Sequence, residues 1–430
     1  MNPIVNRAAG ERGAILVQTA LLMLVLAGLA TFVVDYGVLL IARAQAQNAA
    51  DAGALAGAIG RAYDDRSSPP SSTSMPYQSA QKTALCAGGS SSCPSTPLLA
   101  NPIWAGQSSA TTTANVSWTC PTGYSSYSCV KVDVYRNGEN SSTALPTFFG
   151  KILGINSQGV KATATAIVGF ANATKCMAPF ALADKWVENV AANDKFNDWT
   201  KVGGNVVELN PHDVYTPPSS TSAGSGYNLT DDFGHQQTLI AKSVNDDASG
   251  LGPGWSLSVD LPDGSGGYPT GSSKVAANIA TCIGHPVHIG DYLPTENVGT
   301  GPIKSGTTTL IAKDPNATWN SSTNTVQNSC APSSNCPNVT GFAAVSPRIV
   351  PIGVYDIEDF QHRNLSNNTG PCPTGGQCVK VVNILGFFVS SVDNQGNVTG
   401  YLTATAGDSD AGVPSVAASA SFLNTIRLVR

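Results

Sequence analysis

The chain has 430 residues, enough for two domains of ordinary size once a hydrophobic N-terminal run is set aside. Only 12% of its residues are charged and the formal net charge is -5, so a phosphate-binding surface has little to be built from and nucleic acid is not an expected partner. All ten cysteines (Cys86, Cys93, Cys120, Cys129, Cys176, Cys282, Cys330, Cys336, Cys372 and Cys378) follow the hydrophobic run. An even number on one side of a membrane suits an oxidising compartment, and no pair has the C-x-x-C spacing of a zinc site, so disulfides are expected and a metal is not.

Ala14 to Val34 is a run of 21 residues without a charge. At ~1.5 Å per residue such a helix is about 31 Å long, the thickness of the bilayer hydrocarbon. A secretory apolar region has about 7 to 15 residues, so the run is too long for one, although the small residues of ARAQAQ (Ala42 to Gln47) keep a cleaved signal peptide open. Arg7 and Arg12 precede the run and no cationic cluster follows it closely; this asymmetry predicts a cytoplasmic N-terminus and a single pass, with the rest of the chain across the membrane. VVNILGFFVSSV (Val381 to Val392) is too short to span and predicts a buried strand.

The helix is predicted to continue to about Arg61, because strong helix formers persist and no proline intervenes before Pro69. Within it Ala42, Ala46, Ala49, Gly53, Ala56 and Gly60 fall on one seam, at alternating spacings of four and three. A seam of small residues admits another backbone closely, so it could dock a partner helix or pack on this protein's own next domain. Asp35 stands where the apolar run ends, an inexpensive place for an interfacial carboxylate.

Residues 1–61 are thus a cytoplasmic stub, a transmembrane helix and its extension. Residues 62–103 read as a Ser/Pro-rich linker with one short helix near Tyr77 to Cys86. Residues 104–175 read as a small α+β unit, with strands in NVSWTC and at Val130 to Tyr135, a short helix over Leu145 to Ile155, and a strand over Gly159 to Phe170. From residue 176 to 430, WSLSVDL, HPVHIGDYL, TTTLIA, RIVPIGVYDI, KVVNILGFFV and ASASFLNTIRLVR are short apolar runs between turn residues, which predicts a mainly β domain. No fixed period supports a solenoid or propeller. The expected fold class is α+β: a long N-terminal transmembrane helix extending outside the membrane, a small pilin-like α+β unit, then a mainly β domain.

ERGAILVQTALLMLVLAGLATFVVDYGVLLIARAQAQNAADAGALAGA resembles the N-terminal segment of TadG-like proteins of the Tad (Flp) pilus assembly family. The likeness covers about residues 11 to 60 and lies in the Gly after a basic stub, the apolar helix, the Asp-Tyr-Gly at its outer end and the QNAADAGALAGA tail. Weaker similarity continues in FFGKILGINSQGVKATATAIVG, KCMAPFALADKW, SPRIVPIGVYDI and VVNILGFF. The resemblance implies a single-pass bacterial inner-membrane protein with a domain in the periplasm or outside, contacting lipid and other pilus assembly proteins or pilin-like subunits. The same segment is similar to a type IV pilin stem, with Gly13 where a prepilin peptidase would cut. It departs from pilins at Gln18, where they carry Glu, and losing a charge-assisted contact worth about 1.5 to 3 kcal/mol favours an uncleaved anchor over a fibre subunit. A membrane-anchored binding or adhesive module unconnected with a pilus is the alternative.

Catalytic chemistry finds little support. Ser79-Ala-Gln-Lys82, Ser243-Val-Asn245 and Lys304-Ser-Gly306 imitate the three motifs of penicillin-binding proteins, but the first gap is too long and Ser128-Cys-Val-Lys131 repeats the pattern by chance. Cys282, His285, His288 and Asp291 are each three apart, yet Pro286 and the strand-like VHIG argue against the helix that a metal site would need. Asp356 and Glu358 share a face if VYDIEDF is a strand and could hold calcium with Asp359; a solvated strand edge is the plainer reading. TadG relatives that carry a von Willebrand A-type metal site show D-x-S-x-S, which Asp263 to Gly267 (DGSGG) only echoes. Asn115-Val-Ser117 and Asn397-Val-Thr399 are triplets expected by chance in such a composition. No catalytic residue and no cofactor is expected. Proximity alone pairs Cys86 with Cys93, Cys120 with Cys129, Cys330 with Cys336 and Cys372 with Cys378, leaving Cys176 and Cys282 as a long clasp.

Overall fold

The computed structural model describes residues 7–63, 70–87, 112–124, 128–190, 195–242, 251–282, 284–329 and 346–429. Contacts divide the chain into two compact units, one of residues 1–61, 65–167 and 426–430, the other of residues 62–64 and 168–425.

In the first unit, helix α1 (Arg7–Tyr63) is continuous over 57 residues. Its most apolar 18-residue window has a mean hydropathy of 2.3 and no buried residue, so it is long and apolar enough to cross a membrane. Beyond that window one face turns inward: Ala42, Ala46, Ala49, Ala50, Ala54 and Ala58 are buried. Helix α2 (Met75–Ala87), which falls within the stretch read as a linker, buries Ala80 and Ala84 and lies on strands β1 (Thr113–Ser117) and β2 (Cys129–Arg136). β1 pairs antiparallel with β2, Val116 opposite Val132, and β2 pairs antiparallel with β5 (Val160–Phe170), Val132 opposite Ala164. Along β5, Val160, Ala162 and Ala164 are buried while Lys161 and Thr163 are exposed, the alternation of a strand with one covered face. The stretch Leu145 to Ile155 is not the predicted helix. It forms β3 (Leu145–Pro146), then a single 3-10 turn (Gly150–Leu153) that stops at Gly154 in the left-handed region, with β4 (Ser157–Gln158) returning beside β3. Pro146, Gly150 and Gly154 within ten residues leave too little uninterrupted chain to nucleate an α-helix.

The second unit is built on a closed ring of six strands. In ring order these are Cys378–Val392, Ile349–Tyr355, Phe180–Ala183, Trp255–Ser258, Gln236–Lys242 and Val398–Thr403, and the last pairs again with the first. Closure rests on the length of Cys378–Val392, whose 15 residues reach both neighbours. The wall is buried on both faces: Phe180 and Leu182 enter one hydrophobic cluster, Ala181 and Ala183 another. At Gly400 a Cβ would stand 2.2 Å from the Phe388 carbonyl oxygen and 2.6 Å from the Phe387 ring, so the ring closes there only on glycine.

Three helices accompany the ring where a mainly β domain was expected. TTTLIA is the end of α4 (Thr300–Ala312), not a strand; the β-branched run hides a helical period that buries Ile303, Thr307 and Leu310. α3 (Ser272–Ala280) packs on α4. The acidic segment after Tyr355 is α5 (Ile357–Ser366), with Asp356 as its N-cap.

Candidate functional site

The part of α1 just beyond its apolar run gathers the features that the sequence singled out. One residue beyond the end of the apolar run, Asp35 is 5% exposed. Its carboxylate accepts the backbone N–H of Phe148 at 2.8 Å, Phe149 at 3.2 Å and Gly150 at 2.6 Å, and its carbonyl accepts from Gln158 Nε2 at 3.0 Å. These N–H groups open the 3-10 turn and have no partner within it, so the carboxylate satisfies them with charge-assisted bonds. Gly150 permits the approach, because a Cβ there would lie 3.1 Å from Asp35 Oδ2 and 3.0 Å from the Ile155 carbonyl. Asp35 therefore does more than mark the end of the apolar run: it fastens a loop more than a hundred residues away to that point of α1.

Beyond Asp35 the small seam is covered within the chain. A Cβ on Gly53 would be 2.7 Å from Ala84 Cβ and 2.8 Å from the Ala80 carbonyl oxygen, and one on Gly57 would be 2.6 Å from Val130 Cγ1. Ala42, Ala46, Ala49, Gly53 and Gly60 are buried and Ala56 is half-buried. The helix that docks on this face is α2 of the same chain. Glycine and alanine allow that close crossing, and the sequence did not say whose backbone would come near.

Disulfides join Cys120 to Cys129, Cys176 to Cys282 and Cys372 to Cys378, with Cα separations of 5.2, 4.4 and 5.5 Å. Cys86 is also bonded; Cys93, Cys330 and Cys336 lie outside the described residues, as does Ser243-Val-Asn245. With Cys282 oxidised, Cys282, His285, His288 and Asp291 do not form a metal site. His288 instead bridges two carboxylates, Nδ1 to Asp291 at 3.2 Å and Nε2 to Asp410 at 3.0 Å. The calcium candidate is likewise corrected. Asp356 accepts the Asp359 N–H at 3.0 Å as a helix cap, and Asp359 binds Arg363 at 2.8 Å, so Asp356, Glu358 and Asp359 serve the first turn of α5 and not one strand face. Asp263 turns back on its own loop, accepting from Ser265 and Gly267 N–H, and Asn397 is held by Asp393 and the Ala241 N–H.

Two polar groupings in the second unit had no sequence signal, because their members are scattered along the chain. The first lines a cavity of about 400 Å³ bordered by Asp184, Lys185, Trp186, Tyr227, Asp232 and His235. Lys185 Nζ pairs with Asp232 at 2.8 Å. Asp184 is buried and accepts from Lys185 N–H, Tyr227 N–H and Tyr215 O–H. Burial nevertheless pushes its carboxyl up to about 7, and burial beside Glu296 does the same to Asp260. An unfolded Asp loses its proton near about pH 4. Unfolding thus releases protons between about pH 4 and about 7, and stability falls as pH rises through that window, then levels. Asp184→Asn is expected to reduce this fall; urea midpoints near pH 5 and pH 7.5 for both proteins measure it, and equal falls would show that Asp184 does not titrate there.

The second grouping brings Asp198, Glu208 and His212 together on and beside the hairpin of Trp199–Val202 and Asn205–Glu208, with ligand atoms within 4.8 Å of one another. His212 Nδ1 already faces the Leu209 carbonyl at 3.0 Å and Glu208 at 3.5 Å, and burial raises Asp198 above the usual carboxylate range.

Neither the curated proteins nor the solved structures contain a match to this chain. Residues 13–64, the span and the Ala/Gly extension of α1, match the family model described as "Putative Flp pilus-assembly TadE/G-like".

Proposed function

We propose that this protein is a membrane-anchored, non-catalytic structural component of Tad/Flp pilus assembly, held in the bacterial inner membrane by Ala14 to Val34 with its N-terminus in the cytoplasm and its folded units on the outer side. The observation that supports this most is that residues 13–63 of the family match, which covers 13–64, lie on one unbroken helix. Its apolar half is exposed, and its Ala/Gly half is built into a folded unit. At ~1.5 Å per residue the helix is about 85 Å long, well beyond the roughly 30 Å of bilayer hydrocarbon, so it reaches from the membrane into the folded unit. Such a part positions other proteins and needs no reacting group.

Alkaline phosphatase fused after Arg61 is expected to be active, and the fusion to stay in membranes through carbonate washing. A deletion strain is expected to lack surface pili and to regain them with the full chain. An inactive fusion or a soluble product would overturn the anchor; normal pili in the deletion strain would overturn the pilus role alone. The cavity beside Lys185 and Asp232 favours, as a second reading, an anchored binding module.

A further inference from the structure

In the first unit, the loop from Thr147 to Ile155 presents apolar side chains to its surroundings: Phe148 is 62% exposed, Ile152 69%, Ile155 53% and Phe149 38%. Four exposed apolar residues on one nine-residue loop are more than a folded domain ordinarily leaves uncovered in one place. The loop is held in shape. Ile155 N–H donates to the Gly150 carbonyl at 2.9 Å, Ile152 N–H to the Phe149 carbonyl at 3.0 Å, and Thr147 Oγ1 to the Ile155 carbonyl. The Asp35 carboxylate clamps three of its N–H groups.

Two tethers give the depth of this loop. Gln158, the last residue of β4 and two before β5, donates to the Asp35 carbonyl, and Gln47 donates to the carbonyl of Thr163 within β5. Twelve residues of helix rise about 18 Å and five of strand about 17 Å, so β5 runs along α1 away from the apolar span. The loop before β5 is then at the span end of the sheet, level with Asp35. Among the described residues the other turn at that end, Asn137 to Ser142, is polar, so the apolar contact they offer there comes from one loop and suits the boundary between headgroups and acyl chains rather than a deeper position. Tyr36, half-exposed on α1, and Lys151, exposed on the loop, are side chains suited to that layer.

We infer that the Phe148 to Ile155 loop inserts into the outer leaflet beside the span and seats the first unit on the lipid surface as a second, monotopic contact. The inference rests on α1 being a membrane anchor. With one span alone a domain swivels about its helix; with a second apolar contact clamped to Asp35 it stands at one angle and height.

The test places the photoreactive amino acid benzoylphenylalanine, one site at a time, at Ile152, at Leu24 in the span and at Thr122, exposed in the loop at the opposite end of the sheet. The full chain is reconstituted in vesicles of phosphatidylethanolamine and phosphatidylglycerol, irradiated, and its adducts are identified by mass spectrometry. Lipid adducts are expected at Leu24 and Ile152 and none at Thr122. Lipid adducts at Leu24 without any at Ile152 overturn the loop contact and leave the anchor standing. No lipid adducts at either site overturn both. A crosslink from Ile152 to a second copy of the chain in place of lipid overturns the lipid contact in favour of a protein one.

Discussion

Replacing both Cys176 and Cys282 with Ser is expected to cost the second unit about 4 to 5 kcal/mol, the largest loss that any single disulfide of the described residues would give. The bond closes a loop with a sequence separation of 106, and in the chain-entropy account a loop of about 100 residues restrains the unfolded chain by about 4.7 kcal/mol. The six-residue separation of Cys372 and Cys378 corresponds to about 2 kcal/mol by the same account. Both sulfurs of the long clasp belong to exposed residues, so Ser leaves no cavity and the loss reports the crosslink itself. Cys372 and Cys378 are buried, and Arg363 Nη1 lies 3.2 and 3.3 Å from their sulfurs, so their removal would also disturb packing. Urea unfolding followed by tryptophan fluorescence measures the difference. An unchanged midpoint in the double variant would show that the unfolded chain gains no freedom when the clasp is lost.

Gly53→Leu is expected to destabilise the first unit by about 3 kcal/mol, at the upper end of overpacking. The new side chain meets Ala84 Cβ at 2.7 Å and the Ala80 carbonyl at 2.8 Å from its first carbon onward, and a backbone oxygen cannot swing aside as a side-chain tip can. Ala44→Leu, on an exposed position of the same helix, is expected to change stability by less than about 0.5 kcal/mol. Limited proteolysis of the membrane-bound protein separates the two, with Gly53→Leu cut faster within α2. Loss of pili in Gly53→Leu would then follow from a loosened α1 to α2 contact and would not by itself reveal a partner at this face. If Gly53→Leu resists protease as the parent does, α2 is not seated on the seam.

The two results depend on different kinds of information. Loop length is written in the chain, and so are the pairings of Cys120 with Cys129 and Cys372 with Cys378, because nine and six residues of separation confine two thiols to one neighbourhood. The Ala/Gly seam was legible as a close-packing surface, but its occupant was not. A small side chain specifies how near a backbone can come and nothing about whose backbone it is. Short irregular segments failed for a related reason. TTTLIA has β-branched residues on a helical period, and tertiary burial of Ile303, Thr307 and Leu310 decided in favour of the helix. VYDIEDF has the alternation of a strand, yet the strand stops at Tyr355 and Asp356 caps a helix.

What repeats or accumulates locally can be read from the chain alone: a run of 21 uncharged residues, a helix continuing past it without proline, the alternating strands Cys129–Arg136 and Val160–Phe170, and the near cysteine pairs Cys120 with Cys129 and Cys372 with Cys378. Features that need residues far apart to meet in space were set by packing. It closed the six-stranded ring through both edges of Cys378–Val392, buried Asp184 beside Tyr215 and Tyr227, and brought Phe148 N–H to Asp35 across 113 positions. Periodicity comes from the geometry of one helix or strand, so a few neighbouring residues are enough to reveal it. A buried carboxylate's donors, or a seam's occupant, are chosen by the packing of the whole unit, and no short stretch of sequence contains them.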